Sequence, residues 1–255
     1  MSIQRQRHDK VEVITIDRPE ARNSIDGAAS QALSEAFDEL ESDDNVWVVI
    51  LTGAGDKAFS AGMDLKAFAA GEGGAIAGAK GGFAGFVQRD FPKPIIAAVN
   101  GYALGGGLEI MLGCDLVVAA QHATFGLPEV KRGLIAGAGG LIRLPKRVPF
   151  ALALEMAMTG ESIDAKRALE LGLINKVVPI EDLLNEALNL ANLICANGPL
   201  AVRASKRVMR QAVDLPEGEG WLINATAVGE VFSSQDAQEG PIAFAQKRLP
   251  VWKGK

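Results

Sequence analysis

The chain has little of what metal and redox chemistry requires. Two histidines and two cysteines are all it carries in 255 residues. Cys114 and Cys195 stand far apart in apolar surroundings, with neither a metal-ligand nor a redox spacing, and read as core packing. No zinc-type cluster can be assembled from these residues, and no carboxylate pattern points to a harder cation. An excess of positive charge is also missing. Lys and Arg number 26 against 31 Asp and Glu, a net charge of −5. That balance argues against nucleic acid as a partner. It still allows an anionic ligand, because cations can be placed locally. No run reaches the roughly 18 apolar residues of a membrane span. The opening MSIQRQRHDK lacks the apolar stretch of a signal peptide, so a reducing cytoplasm is the expected setting. Aromatics are scarce at 5%, and Tyr102 is the single tyrosine. What is plentiful is apolar residues, 48%, and glycine, 29 in all. This is the composition of a globular chain with a sizeable core, one large domain or a domain with an appendage.

The informative stretch is 91–140. Pro92 and Pro94 forbid a helix at its start. Ile95 to Val99 is a short apolar run closed by Asn100-Gly101 and reads as a buried strand. Gly105, Gly106 and Gly107 follow, then the helix formers Leu108 to Leu112, with Glu109 about one turn in. The first turn of a helix has unpaired N–H groups carrying partial positive charge. Glycines let another molecule approach that backbone. The segment therefore offers an anion-binding amide and a proton-transfer group side by side. A second carboxylate, Glu129, stands in GLPEV, with apolar runs at 115–120 and 123–126 between the two. A helix–strand–strand path can return Glu129 to the side of Glu109. The competing reading makes both glutamates ordinary first-turn residues at the surface.

Elsewhere, 11–16 reads as a strand ended by Pro19, and Asp26 as the cap of a helix with Leu33, Ala36, Phe37 and Leu40 on one face. Residues 47–51 form a continuous apolar strand, so strand–helix–strand predicts a crossover onto a parallel pair. A helix is expected near 149–159, a second after Asp164, and a short strand at 174–178. From about 180 the pattern is helical, with apolar stripes through Leu184 to Ile194, Ala201 to Ala212 and Trp221 to Phe232. Such a tail can be a lid on its own core or an oligomer interface. Residues 71–85 hold seven glycines in fifteen positions and are expected to form a flexible surface loop, or a mobile wall of a pocket.

Two tempting motifs fail on context. Gly53-Ala54-Gly55-Asp56-Lys57-Ala58 fits the loose dinucleotide pattern, but no helix pattern opens there and no acid follows at a strand end. Ala58 to Gly62 half-matches a nucleophile elbow, yet His122 is the only histidine after Ser60 and nothing marks it as a base. The turn Ser60-Ala61-Gly62, leading into a helix near Met63-Asp64, makes better sense as a second N–H donor.

Three segments now carry a resemblance: FSAGMDLK (59–66), AAVNGYALGGGLE (97–109) and FGLPEVKRGLIAGAGG (125–140). With DRPEARNSID (17–26) and LTGAGDKAFSAG (51–62), the chain resembles the enoyl-CoA hydratase/isomerase family, the crotonases, over nearly its whole length. The C-terminal EGPIAFAQKRLPVWKGK, SAGMDLKA and GGFAG look closest to its carnitinyl-CoA dehydratase branch. The resemblance implies an α/β fold, a crotonase-like (ClpP/crotonase) spiral of repeated ββα units followed by a C-terminal helical region. It places the acyl-CoA site in a core at 1–198 and an oligomerisation region at 199–255, building trimers or dimers of trimers. It implies an oxyanion hole from the backbone N–H groups of Met63 and Gly106, and catalysis by Glu109, which handles the water, and Glu129, which exchanges the α-proton. Ala61, Asp64 and Leu65 match positions along the CoA path, and Gly137 one that seats water or substrate. Arg22, Lys66 and, from the tail, Lys247 are candidate partners of the CoA phosphates. No cofactor is implied beyond the coenzyme A of the substrate. One departure stands out: the usual proline before Gly137 is Ala136.

A thioester makes the α-proton acidic and the β-carbon of an enoyl group electrophilic. Water addition in either direction passes through enolate-like charge that two fixed amides stabilise. Relatives that only isomerise double bonds or cleave thioesters often lack one glutamate, so the intact pair favours a hydro-lyase on 2-enoyl-CoA. A carnitinyl-CoA dehydratase is the nearest alternative, although a quaternary ammonium favours aromatic contacts that this chain has few of. A Δ3,Δ2-enoyl-CoA isomerase and a non-catalytic acyl-CoA-binding protein are the others.

Overall fold

The computed structural model describes residues 2–255. Strands β1 (Ile3–His8) and β2 (Val11–Ile16) form an antiparallel hairpin pairing Ile3 with Ile16. β1 was not expected, because IQRQRH is too polar to stand out. It is an edge strand, and Arg5 and Arg7 both pair with Glu12 of β2. The helix α1 (Gly27–Ser42) begins where Asp26 accepts the N–H of Ala29, a cap worth about 1 kcal/mol. Its buried Leu33, Ala36, Phe37 and Leu40 are the expected face. Its far end is closed by Lys93, which is buried and donates to the carbonyls of Leu40 and Asp43 at 2.5 and 2.7 Å. Burial pushes the Lys93 ammonium down to about 8.

After α1 the chain repeats one unit. β3 (Val48–Gly53) and β4 (Ala58–Ser60) precede the short helices α2 (Leu65–Ala67) and α3 (Gly73–Ala77). β5 (Ile95–Val99) and β6 (Tyr102–Leu104) precede α4 (Gly106–Gly113). β7 (Leu116–Ala120) and β8 (Thr124–Gly126) precede α5 (Gly140–Arg143) and α6 (Phe150–Thr159). The first strand of each unit joins one sheet and the second joins another. β9 (Ile163–Asp164), α7 (Ala165–Glu170) and β10 (Lys176–Val178) complete the orders β1-β2-β3-β5-β7-β10 and β4-β6-β8-β9. The first sheet is parallel from β2 to β10, so the expected crossover between β2 and β3 is there. This is the α/β spiral of ββα units. Alternate residues explain its runs: Val49 and Leu51 face the inner core with α1, while Val48 and Ile50 face a second cluster. That second cluster is covered by Leu183, Ala187 and Ala191 of α8 (Leu183–Cys195).

The remaining helices, α9 (Pro199–Ala212), α10 (Glu217–Phe232) and α11 (Gln235–Ala245), are held differently. Asp115 accepts from Lys206 at 2.8 Å and Arg210 at 2.9 Å, clamping α9 to the start of β7 with charge rather than apolar contact. The Trp252 indole donates to Ala196 and packs on Gly198 and Gly240. The stripe expected through Trp221 and Phe232 faces outward, with those side chains 62% and 76% exposed.

Of the segment 71–85, expected to be a flexible surface loop or a mobile pocket wall, part is packed on α1. Ile76 and Ala84 are fully buried, and Ser30 and Ser34 of α1 donate to the carbonyls of Ile76 and Lys80. The glycines allow close packing on α1: a Cβ on Gly85 would lie 2.5 Å from that of Ser34.

Candidate active site

The segment 60–64 and the start of α4 meet face to face. Gly62 has φ +86°, and a Cβ there would lie 2.6 Å from the Gly106 nitrogen. Gly105 has φ +57° and turns the chain from β6 into α4. Ile25 N–H donates to Gly62, and Asp64 N–H donates to Ile25, which fixes the peptide between them. Among the described residues, neither Met63 nor Gly106 donates its N–H to a backbone carbonyl. Met63 follows Gly62, whose backbone is in contact with that of Gly106, so the two free N–H groups lie on adjoining backbones. Phe83 presses on this junction, its ring 2.6 Å from where a Gly106 Cβ would be. Ser60 has a structural role, accepting the Gly62 N–H at 3.1 Å.

Glu109 and Glu129 come together beside this junction. Glu109 is 3% exposed, and its Oε1 accepts N–H groups from Ala138 at 2.7 Å and Gly140 at 2.8 Å. Gly137 itself is exposed, and the amides that hold Glu109 are those of 138 and 140. Glu129 stands in the short 3-10 turn Pro128–Arg132. Its Oε1 is 3.1 Å from where a Gly105 Cβ would be, while its Oε2 is buried without a partner. The backbone N–H of Glu109 donates to the carbonyl of Gly105, so the glycine beside the Glu129 carboxyl also begins the helix turn that carries Glu109.

Burial raises the Glu109 carboxyl above its ordinary value, against the Gly140 and Ala138 amides and the Arg143 charge. Burial also raises Glu129, and the charge of Glu109 adds to it. Two raised carboxyls beside two unpaired amides can pass a proton and hold a water while negative charge forms on an oxygen at the amides.

The expected binding residues divide. Arg22 is exposed with φ 54°, and its carbonyl accepts the Ala61 N–H, so Arg22 lies against the 60–64 turn. Asp64 caps α2 by accepting from Lys66 and Ala67 and pairs with Arg18 at 3.1 Å. Burial works against that carboxylate, but the Ala67 amide, Arg18 and the Lys66 amide outweigh it and hold its pKa low. Leu65 and Lys66 are exposed on the same turn. Lys247 lies past α11, and its N–H donates to Phe244, away from this turn.

Two arginines escaped sequence reading. Arg18 also pairs with Asp26 at 2.8 Å and donates to the Ser24 carbonyl, tying the α1 cap to the 60–64 turn. Its signal was an arginine beside the proline of DRPE. Arg143 is partly buried on α5. It donates to the Val87 carbonyl, and its Nη1 is 2.6 Å from where a Gly139 Cβ would be. A lone charge inside the apolar GLIRL was the clue there. Among the described residues, no three His, Cys, Asp or Glu side chains are placed to hold a metal.

The chain is similar to known proteins over nearly its whole length. The family model for enoyl-CoA hydratase/isomerase matches residues 6–255. A carnitinyl-CoA dehydratase of Salmonella typhi is 46% identical over 247 residues, 95% of this chain and 94% of that relative. Among solved structures, an enoyl-CoA hydratase from Mycobacterium tuberculosis H37Rv superposes with a TM-score of 0.95 at 47% identity, covering 100% of this chain and 99% of the other. A carnitinyl-CoA hydratase from Mycobacterium avium is 50% identical, with a TM-score of 0.80 over 100% of this chain and 99% of the other.

Proposed function

The chain belongs to the enoyl-CoA hydratase/isomerase family, and we propose that it is a hydro-lyase that adds water reversibly across the 2,3 double bond of an enoyl-CoA. The thioester oxygen lies between the N–H groups of Met63 and Gly106. Removing one such donor typically costs about 2.7–4 kcal/mol of transition-state stabilisation. Glu109 activates the water that attacks the β-carbon. Glu129 delivers the proton to the α-carbon, and in the reverse direction the roles exchange. The observation that carries this reading is the pair of acids beside one glycine turn, buried Glu109 held by two amides and half-buried Glu129 with one buried oxygen left over.

Ala61, Asp64 and Leu65 line the CoA path in this proposal, with Arg22 and Lys66 at its phosphates. Gly137 belongs to the loop that seats the water. Lys247 reaches CoA only from another subunit, which fits an assembly through residues 199–255 into trimers or dimers of trimers. The outward Trp221 and Phe232 support that assembly. Among the described residues, no helix is long and apolar enough to cross a membrane. A cytoplasmic setting suits the two free cysteines.

The test is hydration of crotonyl-CoA by the purified protein, followed as loss of the conjugated enoyl absorbance. Turnover by the wild type and its abolition in Glu129→Gln support the reading. Unchanged turnover in that variant removes Glu129 from the mechanism. A double-bond isomerase would leave crotonyl-CoA unhydrated and shift a 3-enoyl thioester instead.

A further inference from the structure

The chain as a whole is acidic, with a net charge of −5, yet one groove gathers cations. It has a volume of about 270 Å³ and runs between α9, the end of α10 and the turn before β5. Arg203, Lys206, Arg207 and Arg210 of α9 line it, and Asp90 and Glu230 are the carboxylates of its wall. The groove belongs to the far end of α4 from the acids. Arg210 donates to the carbonyl of Gly113, where α4 ends, at 2.7 Å. With a rise of 1.5 Å per residue, roughly 10 Å of helix separates that carbonyl from Gly106.

Most of the positive charge has a partner. Asp115 accepts from Lys206 and Arg210, Glu230 pairs with Arg207, and the carbonyls at the end of α4 take Arg210 and Arg147. Arg203 is left over. Its Nε is buried and, among the described residues, has no partner. Lys93, buried behind the turn, senses the surplus: burial is the main cause that holds its ammonium low, and the charge of Arg203 adds to it. Burial lowers Lys206 too, with Arg210 adding to it and Asp115 opposing. Cations that depress one another in this way are short of negative charge. A buried donor without an acceptor is costly, and a guanidinium fork matches two oxygens of a phosphate or a carboxylate.

We infer that this groove binds a small multivalent oxyanion, a diphosphate or a tricarboxylate, on Arg203, with Arg207 and Arg210 as further donors. The volume lies just below the usual range for ligand pockets, which suits such an ion and excludes a whole coenzyme. Bound there, the ion bridges α9 and the turn before β5, adding to the charge clamp that Asp115 makes between the helical tail and the core. The site uses none of the groups of the hydratase reading and does not depend on it. The rival occupant is a carboxylate from a second copy of the chain.

Calorimetry on the full-length protein tests this with sodium diphosphate and with citrate, at about 0.15 M salt so that diffuse attraction is screened. Saturable binding of one ion per chain is expected, with a Kd below about 1 mM. Binding of diphosphate alone would make the ligand a phosphate, and binding of citrate alone a carboxylate; either supports the site. Arg203→Gln is expected to weaken binding by about tenfold or more. Asp90→Asn removes a like charge from the rim and is expected to tighten it about threefold. Asp90 is exposed, so that variant decides alone should Arg203→Gln fail to fold. No saturation by about 10 mM of either ion overturns the inference. So does binding that Arg203→Gln and Asp90→Asn leave unchanged, or that Lys66→Gln abolishes, since the ion then sits at the proposed CoA path. A sedimentation coefficient that falls in Arg203→Gln, while neither ion binds the wild type, gives the groove to a second copy and overturns it as well.

Discussion

Glu109 accepts two amide hydrogens from the loop that opens α5, whereas Glu129 leaves one buried oxygen with no donor. The two regions are built on different plans. Around Glu109 the backbone closes in: the 138–140 loop binds its carboxylate and Arg143 biases its charge. Around Glu129 the backbone draws back, with a glycine on one side and an apolar cavity on the other. A buried oxygen without a donor costs roughly 1–3 kcal/mol, so Glu129 gains most from acquiring a proton or a ligand. The difference suits a division of labour. The gripped acid keeps one orientation toward a water, and the ungripped one changes protonation most readily.

The sharpest way to break that contrast is to neutralise each acid in turn. Glu129→Gln and Glu109→Gln are each expected to lower kcat for crotonyl-CoA hydration by about 10³, within the usual range for acid–base groups. The contrast lies in a second assay, exchange of the α-protons of butyryl-CoA with D2O, followed by mass spectrometry. That reaction needs no water at the β-carbon. Glu129→Gln is expected to abolish it, and Glu109→Gln to slow it less than tenfold. Equal loss in both variants would merge the two roles.

A smaller effect comes from the glycines that touch each acid. Gly105 has a backbone conformation that side chains rarely adopt, and a Cβ there meets Glu129 Oε1 at 3.1 Å. Gly105→Ala is therefore expected to cost about 1–3 kcal/mol in stability and to lower kcat/KM by about 10–100-fold. Gly140 has ordinary backbone angles, so its added Cβ brings no backbone strain; it would meet side-chain atoms of Glu109 and Leu127 at 3.1 Å, which a shift of a few tenths of an ångström relieves. Gly140→Ala is expected to lower kcat/KM less than tenfold. Urea denaturation and steady-state kinetics on both variants check the order.

How much of this was legible beforehand follows from what each signal depends on. Strands 95–99 and 116–120 are buried on both faces, so their apolar runs were readable one residue after another. The Asp26 cap, Glu109 and Glu129 are local to their motifs and were legible too. β1 was missed because an edge strand needs few apolar residues, and its partner Glu12 lies in the next strand. The stripe through Trp221 and Phe232 was visible as periodicity, but a period names a face and not what faces it. The glycines of 71–85 were read as looseness. Their use is close approach to α1, a relation between segments 46 residues apart that composition cannot express. Arg18 and Arg143 work through such long-range contacts as well.

Arg143 offers a test that moves one acid and spares the other. It is the cation that lowers Glu109, whereas Glu129 is lowered by Arg132. Its remaining charged surroundings are Arg210 on α9 and Arg147. In Arg143→Met the Glu109 carboxyl rises further, so the ionised form needed to activate water appears only at higher pH. The acidic limb of the kcat/KM profile is expected to move to higher pH, with a several-fold loss near neutrality. Arg143→Lys is expected to return most of the shift. A fall in kcat with an unmoved limb would make Arg143 a packing residue.

The smallest expected effect lies in stability against pH. Both glutamates have folded-state values above the ordinary 4.5. From 4.5 up to those raised values, the folded protein holds protons that the unfolded chain has already released. Stability therefore falls as pH rises through this window, and the deficit is complete above the raised values. Asp64 works in the opposite sense. Its carboxyl is depressed, so its contribution is present above its ordinary 3.8 and is lost as pH falls through the lowered value. Between the two windows the protein is expected to be most stable. Glu109→Gln and Glu129→Gln each remove one source of the upper slope, so their advantage over the wild type should widen from pH 4.5 upward. Urea midpoints across that range read the slopes directly.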